Sequence, residues 1–551
     1  MKTLYENGRI YTGGPEGVLP SGAFVVENGR FLVVGNREEL QNYVDNDTKI
    51  VNLGGKFVCA GFNDSHMHLL NYGYTLSMAG LSEHTSSMRE MLEHLRKFDG
   101  EERMRQADSS EQDWGQRWLL GRGWNQDYFT DEQRFPTRWD LDKVSTVRPV
   151  CVTRACGHCC VVNSRGLEIM GVTGDTPQPE GGCFELDAAG EPNGIFRENA
   201  VEYVSSHIPA PSLEQIKEMM RLAIRKLNAY GVTSVQTDDF ETLPVPYELV
   251  IRAYQELEQE GDLTVRVYEQ AQFTSRETLG KFLESGWNTG VGSRRFRIGP
   301  LKIVADGSLG SRTAYLSRPY QDDPDTQGFM LYPREHLEQL IQEAEAHGMQ
   351  TAVHAIGDGT LDVLLDIYES VAGKAPGENR RNGIVHCQIT RAEQLERMAK
   401  LGLHAYAQTI FLDYDQRIVR QRVGTEAASS SYAFHTMKQM GIHVSNGSDC
   451  PVEAPDVMAG IQCAVTRKTL DGSAGPYRPE EAMSVQEALD SYTAEGAYAS
   501  FEENVKGKIQ SGMLADFVVL GEDPFAAPGQ RLREIPVLAV YMDGKCVCRN
   551  E

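Results

Sequence analysis

Residues 334–358 read REHLEQLIQEAEAHGMQTAVHAIGD, and their period changes halfway. The first half is amphipathic, with Leu337, Leu340, Ile341 and Ala344 at helical spacing. The second half, QTAVH, is a short apolar run ending on His354 before a turn, which predicts a buried strand. A helix leading into an apolar strand is the repeating unit of a parallel α/β fold. That unit recurs on both sides. A helix at 212–231, opened by Ser212 and closed by Gly231, precedes the strand VTSVQTD. Further helices precede LTVRVYEQAQF, RIGPLKIVADG, GIVHCQI, LHAYAQTIF and IHVSNGSD. With FVCAGFNDSHMH at 57–68 the strands number eight, and the predicted architecture is a (β/α)8 TIM-type barrel.

The two ends of the chain do not follow this rhythm. GAFVVENGRFLVVG alternates about Asn28-Gly29, and VLAVYMDGKCVC alternates about Asp543-Gly544, both hairpin signals. Neither end makes a stable sheet alone. One small β-sandwich built from both termini, about 1–58 and 501–551, is expected, with the barrel domain over 59–500. The stretch of about 75–205 also breaks the rhythm, with Gly-, Trp- and Pro-rich pieces such as GRGWNQDYF and a charged segment, DGEERMRQADSSEQD, expected as an exposed helix or loop. It reads as an insertion after the first barrel strand, on the C-terminal side where barrel chemistry occurs.

Composition narrows the partners. The 551 residues carry 78 acidic against 54 basic side chains, a net charge of -24, which argues against nucleic acid or an anionic membrane surface. The N-terminus shows no secretory leader and no apolar run reaches membrane-spanning length, so a cytoplasmic protein acting on a small molecule is expected. Eleven cysteines then read as free thiols. CVTRACGHCC, with Cys151, Cys156, Cys159 and Cys160, lacks matched metal-ligand spacing, and its flanking valines favour strand packing.

The strand ends carry the chemistry. His66 and His68, two apart, point to the same side of a strand. His354, His386 and Asp449 end the fifth, sixth and eighth strands. Singly, each reads as a hydrogen-bonded histidine or a capping aspartate; together, at the ends of four strands, they read as a metal site. Lys302 sits in the apolar fourth strand, where an ammonium is costly to bury. Asp64 shares the strand face of the HxH and is a candidate to orient a ligand. Arg312, after a Gly-rich turn, is a candidate for a substrate carboxylate or carbonyl, or for a structural salt bridge. Trp124 and His158 are candidate pocket residues, with core packing the stronger role for Trp124.

GFNDSHMH, KIVADGSLGSRTA, VHAIGD, HCQ and GSDCPV resemble the amidohydrolase superfamily, and more narrowly its YtcJ-like branch, related to N-substituted formamide deformylase. GRGWNQDYF, PTRWDLD, GHCCVVNSRGL, GEPNGIFRE and VKGKIQSGMLADFVVL extend the resemblance over nearly the whole chain. It implies hydrolysis of a C–N bond by metal-activated water. His66, His68 and Asp449 would hold one divalent ion, and His354 and His386 a second. Zinc suits these ligands best, with manganese or iron as alternatives. Asp449 would shuttle the proton. Lys302 matches the lysine that related enzymes carbamylate with CO2 to bridge the ions; the alternative is an ordinary lysine paired with Asp306 beside one ion. Dimers are common among such enzymes, so a homodimer is an expectation by analogy. Two rival readings share the fold: a metal-dependent deaminase or isomerase acting on a small cyclic compound, and a catalytically silent scaffold.

Overall fold

A computed structural model describes residues 2–14, 17–105, 114–372 and 380–550. They divide into two compact units, 1–71 with 223–551, and 72–222.

The larger unit contains the barrel. Its strands are Phe62–Met67, Val232–Thr237, Arg266–Gln272, Phe296–Val304, Thr351–Ala355, Gly383–His386, His404–Ala407 and Val444–Asn446. They pair in parallel and in chain order. Nearly every residue of these strands is buried, which explains their continuous apolar runs. The first and eighth strands meet through a different set of bonds. The Asp449 amide donates to the His66 carbonyl at 2.8 Å, and the His68 amide to the Cys450 carbonyl at 2.8 Å. Asp64 accepts from the Ser448 amide at 3.0 Å and from its hydroxyl at 2.5 Å. Gly447 permits this approach, since a Cβ there would lie 2.5 Å from the His66 nitrogen.

Both termini enter one sheet. Phe57–Ala60 runs parallel to Thr3–Tyr11 and antiparallel to Phe517–Leu520, which joins the N-terminal strands to the C-terminal hairpin. The expected sandwich is thus a single hydrogen-bonded sheet of eight strands that curls on itself. Phe31 and Phe517 lie four strands apart along the sheet, yet their ring centroids are 6.1 Å apart. Tyr5, Phe24 and Tyr541 pack into the same aromatic core. Burying these rings on the inside of one curled sheet serves the purpose that two separate layers would.

Arg266, at the start of the third barrel strand, is buried and reaches across to this sheet. Its guanidinium donates to both oxygens of Asp516, at 2.7 and 2.9 Å, and to Asp543 at 2.7 Å. Burial works against its charge, but the two carboxylates outweigh it and hold the pKa above the usual arginine value. Arg266→Ala leaves Asp516 buried without its main partner. It is expected to destabilise the fold by about 3–5 kcal/mol, read as a shifted midpoint in urea unfolding; an unchanged midpoint counts against the pair.

The smaller unit has its own six-stranded sheet, in the order Gly182–Leu186, Pro192–Glu198, Cys159–Val162, Val150–Arg154, Leu119–Trp124, Ala79–Gly80. Cys151 and Cys160 pack on one side of it with Trp118 and Phe196, and Cys159 on the other with Trp124; Cys156 is exposed. The three buried cysteines serve strand packing. Of the charged segment 99–113, residues 99–105 end the helix Met88–Arg105, and 106–113 lie outside the described residues. Among the described residues, no helix is long and apolar enough to cross a membrane.

Candidate metal centre

His66 is the last residue but one of the first barrel strand, His68 follows that strand, and Asp449 follows the eighth. Because those strands meet at the seam, three ligand atoms from residues 66, 68 and 449 come within 4.8 Å of one another. Nε2 of His68 is 3.0 Å and Nε2 of His66 3.4 Å from Oδ1 of Asp449. The sixth strand brings His386 to His66, with ring centroids 5.6 Å apart, and the fifth brings His354 to His386 at 4.4 Å. From the fourth strand Lys302 reaches in, with Nζ 3.2 Å from Nε2 of His66. The six residues from five strands therefore share one site.

Outer residues decide which imidazole nitrogens are free. Gln270 donates its amide to the Ser65 carbonyl, which turns its oxygen toward Nδ1 of His66 at 2.9 Å. Gln408 does the same, donating to the Tyr406 carbonyl and accepting from Nδ1 of His386 at 2.7 Å. Asp306 accepts from Nδ1 of His354 at 2.9 Å. In all three rings Nδ1 carries the proton, so Nε2 offers its lone pair. Imidazoles held at Nδ1, with Nε2 left to face the site beside a buried carboxylate, are a donor set that fits a divalent ion. The fully buried Asp306 is held by the amides of Tyr315, Ile356 and Gly357 and the hydroxyl of Thr360. Gly357 is required in that turn, since a Cβ would sit 1.9 Å from the Tyr315 carbonyl oxygen.

The charges agree with this division. Burial pushes His386 down to about 3 and, with the charge of Lys302, holds His66 well below the usual value, so both stay neutral. Burial also opposes charge on His68, but the Asp238 and Asp449 carboxylates outweigh it and raise it to about 10. Burial opposes ionisation of Asp449, yet the hydrogen bond from His68 and the surrounding positive charge hold its carboxyl below the usual range. Asp64 is pushed up to about 7 by burial, against the hydrogen bonds from Ser448. His386 and Asp449 both have left-handed backbones, φ 78° and 57°, a strain that clusters at functional sites.

The other candidates are placed as follows. Asp64 ties the barrel seam through Ser448 and the His66 amide. Arg312 forks onto Asp322 at 3.0 and 3.1 Å. In the smaller unit, Trp124 is fully buried and donates to the Val152 carbonyl at 3.1 Å, while exposed His158 faces Glu198 at 3.0 Å. Lys302 is not paired with Asp306, whose oxygens are taken by the groups above; its carboxylate partner is Asp238, 3.0 Å away. Asp238 was missed in the sequence although it ends VTSVQTD, the same strand-end position that marked the histidines. Gln408 likewise directly follows its strand, His404–Ala407, whereas Gln270 lies within Arg266–Gln272 and carries no comparable signal.

A nearly closed parallel barrel with histidines and an aspartate converging at its strand ends is the fold and donor set of metal-dependent hydrolases. The chain belongs to the amidohydrolase family, whose model matches residues 49–548, and to its YtcJ-like branch. It is 33% identical to the YtcJ protein of Bacillus subtilis (strain 168), over 99% of both chains. It is 26% identical to the N-substituted formamide deformylase of Arthrobacter pascens, over 95% of this chain and 94% of that one. The crystal structure of an uncharacterized metal-dependent hydrolase from Pyrococcus furiosus superposes with a TM-score of 0.76 at 30% identity, covering 95% of this chain and all of the other.

Proposed function

We propose that the protein hydrolyses a non-peptide C–N bond, in an amide, formamide or N-acyl group of a small molecule. The convergence of His66, His68, His354, His386, Lys302 and Asp449 carries this reading. The similarity to a formamide deformylase supports the bond type. His66, His68 and Asp449 would hold one divalent ion and His354 and His386 another, with Lys302 as a carbamate between them. When bound, such ions lower the pKa of a water and polarise a carbonyl.

The chain's own groups supply the rest. On carbamylation the lone pair of the Lys302 nitrogen would bond to the carbon of CO2 as one C–O π pair moves onto oxygen; one proton passes to water, and one N–H remains on the anionic carbamate. Asp449, held ionised, takes a proton from the attacking water and returns it to the leaving nitrogen as the C–N bond breaks. The products are a carboxylic acid and an amine. The three Nδ1 acceptors keep the imidazoles from rotating during turnover.

The test is a panel of N-formyl and N-acyl compounds on zinc- and manganese-loaded protein. Dialysis against a chelator should abolish turnover, and either metal should restore it. Failure of the loaded protein on the whole panel would falsify the reading.

A further inference from the structure

Asp238 follows the second barrel strand and touches two members of the site at once. Its Oδ1 lies against Nδ1 of His68, and its Oδ2 is 3.0 Å from Nζ of Lys302. The residue is only 4% exposed. His68 belongs with His66 and Asp449, whereas Lys302 is the residue placed between the two ion positions. A single carboxylate therefore reaches from one half of the centre to its bridge. We infer that Asp238 is a positioning residue that couples the two halves, setting the His68 tautomer with one oxygen and the orientation of the Lys302 nitrogen with the other. This rests on the dinuclear reading above and adds to it the group that organises the bridge.

The chemistry follows from the donors present. In this structure His68 faces a carboxylate from each ring nitrogen, Asp238 at Nδ1 and Asp449 at Nε2; an ion beside Asp449 would take the place of the Nε2 proton, and Asp238 would keep the one remaining N–H on Nδ1. A lysine carbamate also keeps one N–H on Nζ. Asp238 stands at hydrogen-bond distance to accept it, which fixes rotation about the Cε–Nζ bond and so aims the new carboxylate. A second carboxylate of the site, Asp306, contacts His354 and not Lys302, which makes it the natural comparator.

The experiment uses the full chain with zinc as probe. Zinc affinity is read by competition with a chromophoric chelator, and the carbamate by carbon NMR after equilibration with labelled bicarbonate at saturating zinc. Asp238→Asn is expected to weaken zinc binding by roughly 10- to 100-fold and to lose the carbamate resonance, with its melting curve still cooperative. Asp306→Asn is expected to weaken zinc binding and keep the resonance. A wild-type protein that takes up no zinc removes the functional reading itself. A wild type that binds zinc and shows the carbamate, matched in both by Asp238→Asn, overturns the coupling role alone. Should the Asn variant not fold, a crystal structure of the zinc-loaded wild type decides. Asp238 on both Nδ1 of His68 and Nζ of Lys302 supports the role, and a carboxylate turned from either overturns it.

Discussion

Asp449→Asn is expected to lower kcat by roughly 10²- to 10⁴-fold, the range for loss of a general acid–base group. Asn keeps the shape and one oxygen but cannot accept a proton. In the wild type, the hydrogen bond from His68 and the neighbouring positive charges overcome the burial of Asp449 and keep it ionised, ready to act as a base. The same substitution would remove a proposed anionic ligand, so metal content must be measured beside the rate. Loss of rate with zinc still bound isolates the proton transfer; loss of both assigns part of the effect to ligation. A variant that retains full activity would show that another group carries the proton.

Lys302→Ala is expected to reduce bound zinc from two equivalents to one and kcat/KM by more than about 10²-fold, the scale of effect when reacting groups lose their placement. Lys302 is 1% exposed, and its nitrogen lies between Nε2 of His66 and Oδ2 of Asp238. Removing it would empty the space between the two proposed ion positions and leave Asp238 with His68 alone. A short carboxylate such as acetate has the same O–C–O fork as a carbamate, so adding it should recover part of the activity. Two zinc equivalents and an unimpaired rate in Lys302→Ala would sink the bridging role and leave a site built on histidines and Asp449.

Most of the barrel was legible in the chain. Buried parallel strands are apolar without alternation, and the helices between them keep a 3.6-residue period, so each announces itself locally. His354 and His386 stood out because a polar ring at the end of an apolar run is conspicuous. The terminal strands were legible as hairpins, but their union into one curled sheet was not. That union depends on Phe57–Ala60 pairing with Phe517–Leu520, more than 450 residues away, and no local pattern specifies such a register.

The site divides along the same line. By itself the sequence determined the eight strands, the histidines and aspartate at their ends and the odd lysine in the fourth, since these depend on residue identity and short-range period. Only the tertiary structure decided which nitrogen each histidine presents, which carboxylate faces Lys302 and how the seam closes. Lys302 meets Asp238 rather than nearby Asp306, and His66 meets Gln270 across 204 positions. Such contacts are set by the neighbour order and stagger of the barrel strands, which place side chains from separate strands around one axis.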